Sequence, residues 1–487
     1  MMAAADYEQV ARKMLLQDSS LKVVPKSVEQ PWLLGQSHTD TGNSERFVLV
    51  HRNDARYCHA VKAWFIFDGR IWVRDSSDRI RRLVKQVMVE FLKQATNAND
   101  NASEKFARRS LDSKQISNTL KEAQVDLAIS PDEMDQHPDL LVFNNITVNL
   151  RTKTAEPHNP GHFITKRVAF DYNPEAGCPL FLATLARLMG RTADASEAEI
   201  TRAYELVSAL QRAFGYALTG HTSEKVVFIL FGSGNNGKTT ILSLFLRLLG
   251  PYAVLLQIDS LMVRQESNNS QADLADLRGA RFVMTSETEE GQRLAEGKLK
   301  RITQGMGRIK AVRKYENPIE FSETHKLFID ANHKPIIRGT DAAIWNRMFT
   351  IPFTVTIPKE EIDRELQTKL MAEAEGILAW AVAGAHQWYL HGLERPAIVD
   401  EAVQSYRTEM DQIGRFIEEQ CIIGSVFQAR ARDLYAAYKS WADEGSEFVI
   451  TANMFGRKLL ERDGVTKQDA RESPRYVGVG LRTRDSG

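Results

Sequence analysis

Apolar and polar positions follow two different periods along this chain, and the points where the period changes divide it. Residues 226–231, "VVFILF", are uncharged and rich in β-branched and aromatic side chains, which predicts a strand buried on both faces. The run "KTTILSLFLRLLG" spaces its apolar residues at helical intervals and stops at Gly250, which predicts a helix. Further apolar runs predict strands at 282–285, in "KLFIDAN" ending at Asn332, and in "MFTIPF". Upstream, "AWFIFDGRIWVRD" predicts a hairpin turned at Asp68-Gly69, with helical spacing following over 81–94. "NANDNASEK" at 97–105 reads as a polar loop, "LLVFNNITVNLRTKTAEPHNPGHF" as a second hairpin with a turn-rich sequel, and 179–218 as helical. Beyond residue 358, "EEIDRELQTKLMAEAEGILAWAVAGAHQWYLHGL" is strongly helical, and 401–419 continues the pattern. Near the end come two amphipathic helices, "ARARDLYAAYKSWADEG" and "TANMFGRKLLERDGV", and then an Arg-rich strand pair, "RYVGVGLRTR". The order divides the chain into a mixed α+β N-terminal domain (1–185), an α/β core with N-terminal helices (186–358), a helical connector (359–420) and a small domain (421–487). No internal repeat is present.

Between the first strand and helix of the core lies "GSGNNGKTT", a complete P-loop. Gly232, Gly234 and Gly237 let the backbone N–H groups of the loop, with those of Asn235 and Asn236, turn toward a polyphosphate at the positive end of the helix. Lys238 then reaches the β- and γ-phosphates of ATP. The Thr239 hydroxyl holds Mg²⁺, with Thr240 beside it. The bland alternative is a glycine-rich turn that binds nothing. The loop alone implies nucleotide binding without choosing among kinases, GTPases, pumps and helicases.

Composition narrows the choice modestly. At 487 residues the chain has room for about three domains. Lys plus Arg and Asp plus Glu both total 63, so any nucleic-acid surface must be local. No run approaches the ~18 apolar residues of a membrane span and the start lacks a signal-peptide apolar region, so a soluble, cytoplasmic protein is expected. Cys58, Cys178 and Cys421 are isolated in sequence, which points to reduced thiols and away from a zinc cluster.

The chemistry needed after a P-loop is an acid at a strand end, to hold Mg²⁺ through water or to activate the attacking water. "FVMTSETEEG" offers Glu287 and, more weakly, Glu289. Asn332 at the next strand tip suits a γ-phosphate sensor or, equally, the start of a turn before Pro335. Arg347, before "MFTIPF", suits an arginine finger acting on a neighbouring subunit's ATP or a surface ion pair. From Arg293 to Lys314 there are eight bases against the single acid Glu296, a net of +7 in 22 residues. That density suits contacts to nucleic-acid phosphates, which release counterions, though a solvated basic face has the same composition. Within it, "QGMGRIKAVRKY" offers a bend at Gly305 and Gly307. By contrast, residues 421–487 hold eleven bases and nine acids, a net of only +2, which leaves DNA recognition and protein docking equally open.

The series "GSGNNGKTT", "FVMTSETEEG", "LFIDANHKP" and "AAIWNRMFTIPF" resembles, in order and spacing, the superfamily-three helicase domain of phage, satellite-phage and plasmid replication proteins, the family that includes the poxvirus primase-helicase. The likeness covers roughly residues 40–485. The resemblance implies an AAA+ type P-loop ATPase core with a parallel sheet, a helical lid region at 359–420 and a winged-helix C-terminal domain. It further implies a hexameric ring that hydrolyses ATP with Mg²⁺ at subunit interfaces and draws single-stranded DNA through its pore, with 3′ to 5′ polarity. Carried over by motif, Lys238 and Thr239 bind phosphate and Mg²⁺, Glu287 is the catalytic or Mg²⁺-linked acid, Asn332 the sensor and Arg347 the finger in trans. The basic segment falls where the family has a pore hairpin, which makes Lys300, Arg308, Lys310, Arg313 and Lys314 the candidate DNA contacts. Relatives often have Asp after the glycine pair where this chain reads "GMGR". Nothing in the N-terminal region resembles a primase's acidic triad or zinc motif, so the chain looks like a helicase without its own primase domain, or one whose primase is encoded separately, and a separate primase or replication partner is possible. A replication initiator that melts or marks an origin, and less strongly a small-molecule kinase, remain the alternatives.

Overall fold

The computed structural model describes residues 32–263, 274–285, 291–305, 307–312, 318–339, 341–445, 447–468 and 474–482. Its centre is a five-stranded parallel sheet. In chain order the core strands are β1 (Val227–Phe231), β2 (Ala253–Leu256), β3 (Phe282–Thr285), the antiparallel pair β4 (Arg308–Ala311) and β5 (Ile319–Ser322), β6 (Lys326–Ala331) and β7 (Met348–Pro352). Across the sheet they run β7-β1-β6-β3-β2, which places β6 between the P-loop strand β1 and β3.

Strict alternation explains why these apolar runs form strands here. Phe228, Phe282 and Phe328 face one way and join α1 (Glu197–Leu218) and α2 (Lys238–Leu249) in one core, while Val227, Ile229, Val283, Leu327 and Ile329 face the other way into a second core. On the first face the rings stack in series: Phe214 of α1 lies 3.7 Å from Phe245 of α2, and Phe328 lies 4.6 Å from Phe228 and 4.8 Å from Phe282. Such a sheet needs helices on both faces, and α3 (Glu296–Ile302) supplies Leu299 and Ile302 to the second.

The helical stretch after residue 358 contains α4 (Ala374–His391), which is a core helix packed on α1. The two backbones touch at a pair of glycines. A Cβ on Gly215 would lie 2.0 Å from Ala385 N, and one on Gly384 would lie 2.1 Å from Gln211 O. Gly384→Ala ordinarily gains about 1 kcal/mol of helix propensity. Here the clash with rigid backbone outweighs it, and a net loss of about 1–3 kcal/mol is expected in denaturant unfolding.

Around this core the N-terminal region forms two small antiparallel sheets. Ala63–Phe67 pairs with Ala55–Cys58 and with Trp72–Arg74, and the expected hairpin turns through residues 68–71, where Gly69 has φ +98° and the Asp68 carboxylate accepts from Arg70 N and Ile71 N. Leu140–Val142, Thr147–Asn149 and Thr154–Glu156 form the second. One reading is corrected. Residues 97–105 are no loop throughout, because Asp100 caps a helix over Asn101–Ser110, accepting from Ala102 N and Ser103 N. The buried Arg281 guanidinium ties the start of β3 both to the end of α1, by donating to Leu218 O, and to this region, by donating to His137 O.

Residues 412–482 run helix, strand, helix, helix, strand, strand: Gln412–Gln420, Cys421–Arg430, Ala431–Glu444, Ala452–Leu460, Thr466–Gln468 and Arg475–Leu481. They enclose their own core of Phe416, Leu434, Tyr438, Phe455 and Val479. All three cysteines are buried free thiols. Among the described residues no helix is long and apolar enough to cross a membrane.

Candidate functional site

The P-loop leaves the C-terminal end of β1 and returns as α2. Gly234 (φ +97°), Asn235 (φ +47°) and Gly237 (φ +74°) all adopt left-handed backbone, which glycine takes freely and asparagine tolerates. The loop is clamped from below. A Cβ on Gly232 would meet Phe353 O at 2.3 Å, and one on Gly237 would meet the Leu188 side chain at 2.6 Å. Asn235 and Asn236 anchor the loop to the segment after β7, since Ile357 N donates to Asn235 O at 2.7 Å and Asn236 Nδ2 to Phe353 O at 3.3 Å. Thr240 follows half-buried on α2.

Lys238 is 2% exposed, and its ammonium is held by three oxygens: Gly232 O at 2.9 Å, Asn236 Oδ1 at 2.8 Å and Asn332 Oδ1 at 2.9 Å. The structure therefore brings together Lys238 and Asn332, which sequence reasoning assigned to one phosphate. It also reveals a residue that reasoning passed over. Asp330, fully buried on β6 and opposite Leu230 of β1, has Oδ1 4.0 Å from Lys238 Nζ, and its Oδ2 accepts from the Thr239 hydroxyl. The signal was present in "LFIDAN": a charge inside an otherwise apolar strand has to be paired.

The remaining candidates divide. Glu287 and Glu289 lie outside the described residues, as do Arg313 and Lys314. The strand that leads to the two acids ends at the buried Thr285, one strand removed from β1 across β6. Arg347 stands at the opposite end of the sheet from its own P-loop, where its carbonyl accepts from Val227 N at the start of β1. Five strand residues at roughly 3.3 Å each put it about 16 Å away. Its Nη1 donates to Ala343 O at 2.6 Å. Lys300 is ion-paired with Asp341, and Arg308 with Glu320 across the β4–β5 hairpin at 3.1 Å, whereas Lys310 stands opposite Glu320 on an exposed strand position. The glycine bend is displaced from its expected place. Gly305 (φ +72°) and Gly307 precede β4, so they lie before the strand pair and not between its two strands. Among the described residues no cluster of three His, Cys, Asp or Glu could hold a metal. Mg²⁺ at a nucleotide site needs no such cage, because phosphates and water supply most of its ligands. The Thr239 hydroxyl with a buried carboxylate behind it fits that ion.

Residues 44–190 match the family model described as "D5 N terminal like". Residues 230–347, from the P-loop strand to Arg347, match a family of unknown function. The chain is 24% identical over 445 residues to "Putative helicase L207/L206" of Acanthamoeba polyphaga mimivirus, covering 82% of this chain and 44% of that protein. It is 28% identical over 248 residues to "Putative helicase 022R" of Frog virus 3 (isolate Goorha), covering 47% and 25% respectively. A Sputnik virophage protein, "Putative helicase V13", is 22% identical over 379 residues, covering 75% and 46%. The chain thus spans less than half the length of the curated proteins it matches. Among solved structures, the apo form of the NrS-1 C terminal region is similar at a TM-score of 0.49 and 11% identity, over 90% of this chain and 100% of that one.

Proposed function

We propose that this chain is an ATP-dependent DNA helicase of a mobile-element or viral replication system, translocating on single-stranded DNA as a ring with ATP hydrolysed between subunits. The observation that carries this reading is the course of β6. Its C-terminal end brings Asp330 and Asn332 to the P-loop residues Thr239 and Lys238, and its N-terminal end is joined through residues 323–325 to the basic β4–β5 hairpin. One buried strand, paired with β1 on one side and β3 on the other, therefore links the nucleotide site to the hairpin that carries the candidate DNA contacts Arg308 and Lys310; Lys300, on α3, and Arg313 and Lys314, outside the described residues, are further candidates. A small-molecule kinase has no use for that hairpin.

Lys238 and the loop N–H groups hold the phosphates of ATP, and Thr239 with Glu287 holds Mg²⁺. When bound, the ion neutralises charge that develops on the phosphoryl group. Glu287, with Glu289 in support, activates water, and Asn332 exchanges Lys238 for the γ-phosphate. The strand order and the helix–strand–helix–helix–strand–strand order at the C-terminus support an AAA+ type core and a winged helix.

The test is ATP hydrolysis with and without single-stranded DNA, together with displacement on a forked duplex and sizing in ATP. DNA-stimulated hydrolysis, unwinding and a ring-sized assembly are expected. Hydrolysis and duplex binding without unwinding would instead identify an origin-melting initiator, and a monomer that unwinds nothing would end the ring-helicase reading.

A further inference from the structure

We infer that Asp330 is a positioning residue for Mg²⁺, acting through Thr239, and that the central strand β6 therefore supplies an acid to the metal site in addition to those after β3. The inference rests on the ATPase reading above. A threonine hydroxyl carries one proton and two lone pairs. In this structure Thr239 directs its proton into Asp330 Oδ2, behind the loop, which leaves its lone pairs for a cation on the phosphate side. A rotating hydroxyl would offer the cation its proton part of the time; a carboxylate acceptor prevents that.

The carboxylate is well placed for this role and costly to keep for any lesser one. It is completely buried, on a strand whose six residues are all buried, beside a lysine that is 2% exposed. A buried carboxylate is retained only where charge and hydrogen bonds repay its desolvation. Asp330 has both. Oδ1 faces the Lys238 ammonium at 4.0 Å, and Oδ2 takes the Thr239 proton. A simple counter-ion for Lys238 would explain the first contact and leave the second unexplained. Residues that orient a metal's ligands by hydrogen bonding are worth about 10–100-fold in metal affinity when removed.

The test is the affinity for fluorescent ADP in Mg²⁺ and in EDTA, for wild type, Asp330→Asn, Thr239→Ala and the double variant. Asp330→Asn is expected to bind ADP in EDTA about as wild type does, yet to lose the extra affinity conferred by Mg²⁺ by about tenfold. If Asp330 acts through Thr239, the double variant is no worse than Thr239→Ala alone, since residues in one hydrogen-bonded unit are not additive. Equal weakening with and without Mg²⁺, or losses that add, would make Asp330 a structural counter-ion and overturn the inference. Where Asp330→Asn does not fold, Asp330→Ser, which keeps an oxygen acceptor in less volume, carries the same comparison. A wild-type protein that shows no Mg²⁺-dependent nucleotide binding would sink the ATPase reading itself. Normal Mg²⁺ dependence in Asp330→Asn sinks only this one.

Discussion

Lys238→Ala is expected to reduce ATP hydrolysis by about 10²–10³-fold or more, with the loss in kcat and not only in nucleotide affinity. Removing one preorganised donor from a transition-state site costs about that much. Here the loss is compounded by what remains. Lys238 is the cation facing Asp330 Oδ1, and three further oxygens, from Gly232, Asn236 and Asn332, converge on its ammonium. Without it the site offers a γ-phosphate a buried carboxylate and several acceptors, which repel it. Lys238→Ala is accordingly expected to bind ATP more weakly than ADP relative to wild type. Asp330→Asn in the same background should recover part of that affinity, because the repelling charge goes. Steady-state hydrolysis and nucleotide titration check both. An alanine variant that hydrolyses ATP within threefold of wild type would remove the P-loop from the mechanism.

Much of the nucleotide site was legible in the chain because its elements carry one-sided or two-sided burial in short, unambiguous runs. Residues 282–285 and 327–329 are uncharged, and their apolar side chains alternate between two cores, so no helical reading competes with them. The glycines of the P-loop are likewise fixed by local backbone, since φ at Gly234 and Gly237 is positive. What was not legible depends on contacts distant in sequence. The role of Asp330 depends on β6 lying next to β1, which brings it to Thr239, 91 residues earlier in the chain. The need for glycine at 384 likewise depends on the close approach of Gln211, distant in sequence. The helix at Asn101–Ser110 is polar enough to pass for a loop, and it forms because Asp100 caps it and Ala107 packs beneath. Glycines favour bends, and Gly305 and Gly307 suggest one within the basic segment. In the fold Gly305 instead makes the approach to β4, against Thr222 O.

Arg347→Ala should be as damaging as Lys238→Ala, yet the two defects are expected to cancel when the proteins are mixed. An arginine finger contributes about 10³–10⁵ to kcat, so hydrolysis by Arg347→Ala alone should fall close to background. The arginine stands at the opposite end of the sheet from its own P-loop, about 16 Å away, so its side chain would not reach an ATP bound there. In a mixed assembly, an Arg347→Ala subunit brings an intact Lys238 and a Lys238→Ala subunit brings an intact Arg347. Wherever the two meet in the right order, a complete site re-forms and DNA-stimulated hydrolysis returns. The competing role is local: Nη1 donates to Ala343 O, closing the short helix Ala342–Trp345 before β7. A residue with only that role would lower the denaturation midpoint when removed, and no mixture with Lys238→Ala would restore activity. Arg347→Lys separates the two further. Lysine can still cap one carbonyl, but it lacks the planar fork that spans a transferring phosphoryl group, so stability should survive while hydrolysis does not.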